Sequence, residues 1–236
     1  MALFKPRKLR VLYSVDKPDG STVDFDIRLG ENGLLEDVPE EGPAWTRLGG
    51  KRCPGCNTPG GYCRAALAIT PAVEAFIDTD SLAQVRTRVS MPNYTAEVIC
   101  PVPKVVSSIM GLTMAASGCS TMAPFRAMAI YHQPFSTLEE TVIRAAGYVL
   151  LGRWARGGLA AENPFAPLID AWERVEDVNA RIGRSLSEYC AGDATLNGLA
   201  NLDVFAKAGV FGLESALTAL KPALLAWDIG LPTANR

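Results

Sequence analysis

The chain of 236 residues contains a single histidine, His132. That scarcity confines imidazole chemistry to one position, and a Ser-His-Asp hydrolase would have to use it. No serine nucleophile motif stands near it. There is no GxGxxG after a strand pattern, no GxxxxGK[ST], no GxSxG and no HExxH, so no nucleotide cofactor and no helical zinc-protease site is expected. An excess of positive charge is also missing. The formal net charge of −2 gives no footprint for nucleic acid or an anionic membrane as the main partner. No uninterrupted run reaches the ~18 apolar residues of a membrane span. The nearest, Val102 to Gly118, is interrupted by Lys104, Ser107 and Ser108. The start, MALFKPRKLRVLYSV, is basic, but its hydrophobics alternate with polar residues, unlike a signal peptide. A cytosolic location is therefore expected, where thiols stay reduced. There is no internal repeat.

What is present is a hydrophobic patterning that changes along the chain. Leu9, Val11, Tyr13 and Val15 alternate with polar neighbours, as do Val23, Phe25, Ile27 and Leu29, with a Lys17-Pro-Asp-Gly20 turn between them. This predicts an antiparallel hairpin. A second hairpin is expected through Val85, Thr87 and Val89, a Met91-Pro-Asn93 turn, then Tyr94, Ala96 and Val98. Between the hairpins, residues 30 to 63 are rich in Gly and Pro, a loop long enough to need a function or a pin. A helix follows, expected to start at Pro71 with Thr70 as N-cap.

From Val102 the spacing becomes helical. Val105 to Ala116 reads as a central buried helix ended by Gly118. Pro124 to His132 predicts a short helix. Ser136 to Glu139 reads as a capping box opening a long helix to about Trp154, closed by breaks at Gly157-Gly158 and Asn163-Pro164. Ile169, Trp172, Val175, Val178 (or Asn179), Ile182, Leu186 and Tyr189 define the clearest amphipathic helix. Asp193 is expected to cap a last helical stretch that Gly209 and Gly212 divide. The fold class is α+β: a small antiparallel β-sheet of two hairpins packed on a C-terminal helical bundle. Residues 1–236 are expected to form one domain, with a ββ–Cys loop–α–ββ half (1–100) and a helical half (101–236).

The chemistry lies in the loop. Three of the six cysteines, Cys53, Cys56 and Cys63, fall within eleven residues. Cys53-Pro-Gly-Cys56 lets two thiolates from one turn reach one ion, and Cys63 returns soon enough to be a third ligand. A fourth must come from afar, and Cys119 and His132 are the candidates. One metal centre is expected, zinc ahead of an iron–sulfur cluster, and a metal-free dithiol is the remaining alternative. Cys100 and Cys190 read as small packed thiols. His132 has a bland reading too, as a hydrogen-bonded structural residue. Its neighbours Glu139, Glu140 and Arg144 are the other candidates for catalysis. Their competing reading is helix N-terminal charge, with Arg144 in a salt bridge to Glu140.

Arg52-Cys-Pro-Gly-Cys56 with Cys63, Ser108-Ile-Met-Gly-Leu112, Ala116-Ser-Gly-Cys119, and Met128 to Phe135 followed by Glu139-Glu-Thr141 together carry a resemblance. Over most of its length the chain resembles a group of uncharacterised bacterial proteins that share a domain of unknown function. The resemblance implies that Cys53, Cys56, Cys63, Cys119 and His132 form one motif set, and it implies no reaction. It also leads one to expect proline after Cys119, where Ser120 stands here.

Three functions follow. The first is a metal-binding protein of structural or accessory role, its site joining the loop to the helical half. The second is a metal- or thiol-dependent redox or hydrolytic enzyme with a pocket around His132. The third is a protein-interaction module, acting on a partner or on a second copy of the chain.

Overall fold

A computed structural model describes residues 8–49, 52–158 and 163–226. The basic start before Lys8, and the middle of the break after Gly158, lie outside the described residues. Both hairpins form. β1 (Leu9–Asp16) pairs antiparallel with β2 (Thr22–Leu29), and β3 (Gln84–Ser90) with β4 (Thr95–Pro101). β1 also pairs antiparallel with β3, which gives one four-stranded sheet of order β2-β1-β3-β4. Alternation decides its faces. Leu9, Val11, Tyr13 and Val15 point inward and are buried, whereas Arg10 and Asp26 pair at 2.7 Å on the outer face. The first turn works as its residues suggest. Gly20 takes φ +83°, and the Asp19 carboxylate accepts from the Ser21 amide and hydroxyl.

α1 runs Arg64–Ala75, so it starts seven residues before the expected position at Pro71, with Cys63 as N-cap. The proline sits inside the helix, and the Thr70 hydroxyl donates to the Ala66 carbonyl instead of capping. An interior proline costs about 3 kcal/mol. Burying Leu67 and Ile69 together returns roughly 3–6 kcal/mol, and both are almost fully buried. Packing outweighs the local signal. α2 (Val102–Ala116) is buried on most sides, and Gly118 follows it at φ +82°, as expected of a helix-ending glycine.

A short turn of 3-10 helix leads into α3 (Arg126–Ile130), and α4 spans Leu138–Ala155. The capping box exists, one residue later than predicted. The Glu140 amide donates to Thr137 Oγ1 at 3.2 Å and the Thr137 amide to Glu140 Oε2 at 2.7 Å. Ser136 is occupied elsewhere, donating to the Gln133 carbonyl and accepting from Arg144. The expected Glu140–Arg144 salt bridge is absent among the described residues, because the cap takes the carboxylate.

α5 (Ala166–Ser187) buries the face that periodicity marks, including Trp172, Val175, Val178, Ile182 and Leu186. α6 is a single helix, Ala194–Leu225, undivided at Gly209 or Gly212. Gly209 serves close packing: a Cβ there would overlap the Trp172 ring of α5. Asp193 stands at the N-cap position without capping. Its carboxylate accepts from the Ser81 amide and hydroxyl, both at 2.8 Å, and so ties α6 to the N-terminal half. By length and composition α6 is able to cross a membrane, although acidic and basic residues interrupt it, and most of it is not buried. One continuous hydrophobic core takes residues from the sheet and from every helix.

Candidate functional site

Two places gather chemistry. The first is the cysteine loop. The Cys53–Cys56 turn closes through the Cys56 amide donating to the Cys53 carbonyl at 3.0 Å. The return strand is tied down by Cys63 N–H to Thr46 O at 2.8 Å and Leu48 N–H to Gly61 O at 2.7 Å. Arg52 straps the intervening loop by donating to the carbonyls of Thr58 and Gly60. Cys119 lies just past the end of α2. There the Ser120 hydroxyl donates to the Gly55 carbonyl at 3.3 Å, and Arg64 donates to the Ser117 carbonyl. The helical half is thus joined to the loop beside the thiols.

The thiols differ in acidity. Burial, with Cys63, Cys56 and Cys119 nearby, pushes the Cys53 thiol up to about 11, against a smaller downward pull from Arg181. Cys63, buried at the start of α1, is raised by burial, with the Ala66 amide and Arg181 opposing. Cys56 goes the other way. Burial works to raise it, but hydrogen bonds from the Thr58 amide and hydroxyl and from Arg52 leave it below an ordinary thiol. Among the described residues no three His, Cys, Asp or Glu side chains are grouped closely enough to enclose a metal ion. The thiols share a neighbourhood without forming a coordination shell.

The second place surrounds His132. Its Nε2 lies 2.6 Å from the hydroxyl of Tyr13, which lies 2.7 Å from Ser108 Oγ. The Phe135 amide donates to Ser108 Oγ at 3.2 Å. The chain can run in one direction: Phe135 N–H to Ser108, Ser108 O–H to Tyr13, and Tyr13 O–H to Nε2. His132 then carries its proton on Nδ1. Burial, aided by the Arg144 charge, pushes the imidazole down to about 3, so it is neutral at pH 7. Burial raises the Tyr13 phenol further, so it stays protonated. Phe135 holds φ 59°, rare for a residue with a side chain, and its ring meets Tyr13 edge-on.

His132, Ser108, Phe135 and Arg144 line a half-open cavity of about 450 Å³ between α2, α3, α4, α5 and α6. Arg144 is half-buried, donating to Ser136 Oγ at 3.0 Å and to the Tyr131 carbonyl at 2.9 Å. Glu139 and Glu140 are exposed on the first turn of α4. His132 is not among the groups that shift the thiols, whereas Cys119 is. Tyr13, Asn179 and Arg181 carry no local signal of a role in a site. The one trace is Ser108, a polar residue inside an apolar run.

Neither a curated protein nor a solved structure matches the chain. A family match covers residues 11–224, so both places fall within it, and the chain belongs to the family DUF6901, a domain of unknown function.

Proposed function

We propose that the chain is a cytosolic metal-binding protein in which Cys53, Cys56, Cys63 and Cys119 hold one ion, zinc ahead of an iron–sulfur cluster. The ion fastens the loop to the helical half, a structural or accessory role. The observation that supports this reading is that thiols from three separate segments, the loop turn, the start of α1 and the stretch just past α2, share one neighbourhood. To hold a tetrahedral ion the four thiols would have to close in around it, and binding would replace their protons. His132 is the weaker fourth ligand, since Tyr13 engages its Nε2. The same engagement counts against an enzyme centred on His132, as does the outward position of Glu139 and Glu140.

Elemental analysis with a visible spectrum, on protein purified without oxygen, tests the reading. One zinc per chain and no colour supports it. Iron with a brown colour reassigns the centre to a cluster. Neither metal removes the proposal. A second reading, a protein-interaction module, rests on exposed apolar side chains of α4 and α6: Leu151, Trp154 and Phe211, the last 83% exposed. Light scattering of wild type and Phe211→Glu checks it; equal masses and a monomer count against self-association.

A further inference from the structure

The cavity contains a side chain that the folded protein leaves unsatisfied. Asn179 on α5 is 2% exposed and lines the cavity, yet neither its amide oxygen nor its amide nitrogen has a partner among the described residues. A buried polar group without a hydrogen bond costs about 1–3 kcal/mol, so an Asn here is expensive unless something reaches it. The rest of the wall is mainly apolar, through Met114, Met122, Phe125, Phe135, Trp172 and Phe205. At about 450 Å³ it falls within the size range of small-molecule sites.

Charge narrows the occupant. In a chain of net charge −2, the described lining holds Lys104 and Arg144 and no Asp or Glu. Arg144 forms no ion pair among the described residues; its bonds go to a hydroxyl and to carbonyls. A half-buried guanidinium without a counter-ion favours an anion. Beside it, Tyr13 engages His132 Nε2, which leaves Nδ1 as the ring's other hydrogen-bonding atom.

We propose that this cavity is a binding site for a small amphipathic carboxylic acid. The carboxylate sits against Arg144 and His132, the apolar body lies along the methionine and aromatic wall, and a polar group on that body meets Asn179. The inference is independent of any metal at the thiols.

Calorimetric titration of the full chain tests it, with decanoate below its micelle concentration and decanamide as the uncharged match. The expected result is saturable one-to-one binding of decanoate and at least tenfold weaker binding of decanamide. Arg144→Met should remove that preference. At least one of 3-hydroxydecanoate and 10-hydroxydecanoate should bind more tightly than decanoate. In Asn179→Leu that advantage should vanish, while the melting temperature of the unliganded protein rises. Absence of saturable decanoate binding, or binding that Arg144→Met leaves unchanged, overturns the site. Equal affinity for acid and amide overturns the anionic head. A fall in melting temperature for Asn179→Leu shows the amide to be structurally satisfied and overturns its role.

Discussion

The thiol loop and the helical cavity are built on opposite plans. The loop is irregular, held by backbone hydrogen bonds, by the Arg52 strap and by single ties to the helical half such as Ser120 to Gly55. The cavity is walled by regular helices, and its polar groups meet over long separations. Tyr13 reaches Ser108 across 95 residues and His132 across 119. An irregular loop held by scattered hydrogen bonds gains most from an added fastening, whereas a region walled by helices tolerates a gap between them. The two plans predict different vulnerabilities.

The largest difference should come from metal. If an ion closes the loop, chelation of metal-loaded protein removes stability on the order of 5–10 kcal/mol and lowers the melting temperature steeply. Cys63→Ser should do the same. Calorimetry with and without chelator reads it. An unchanged melt would mean that the backbone ties of the loop suffice, and the contrast between the two regions would weaken.

Acid should strike the other region. Unfolded His132 takes up a proton near its ordinary pKa of about 6.5, whereas in the fold it resists protonation down to about 3. Between those values the unfolded state binds more protons, so stability is lost as pH falls through that window. The loss attributable to His132 reaches at most about 5 kcal/mol. Urea melts of wild type and His132→Gln between pH 7 and pH 4 should diverge in slope; parallel curves would separate the imidazole from stability.

These first two tests follow a division in what the sequence discloses. Cys53, Cys56 and Cys63 are legible because their spacing is local. The hairpins and α5 are legible because alternation and helical period record which face is buried. The cavity is not legible: nothing near Tyr13 or Ser108 announces a partner about a hundred residues away. Local signals also fail where packing outweighs them. Pro71 does not start α1, and Gly209 does not end α6, because burial and the Trp172 contact decide there. Asp193 misleads for a related reason, since its carboxylate finds Ser81 in the other half before its own helix.

Two smaller effects sharpen the comparison from the helical side. Gly209→Ala places a methyl group against the Trp172 ring and should cost about 1–3 kcal/mol, lowering the thermal midpoint without altering metal content. Thr137→Ala removes one arm of the α4 capping box, for a loss of about 1 kcal/mol. That capping residue also lines the cavity, so denaturant melts should report the stability loss while decanoate titration shows whether the cavity mouth has shifted. Neither variant should change thiol reactivity; a change there would mean the two regions are coupled more tightly than their plans suggest.

The geometry of α6 has a mechanical side. The Gly192 and Ala194 amides donate to the Ile77 and Thr79 carbonyls, and Asp193 holds Ser81, so the helix is clamped at its base. Gly209 rests on Trp172 partway along, and the final Leu224 and Leu225 are exposed. Thirty-two residues at 1.5 Å each make an arm about 48 Å long. The arm is therefore held at its base and again at Trp172, and its last turns carry Leu224 and Leu225 beyond the core.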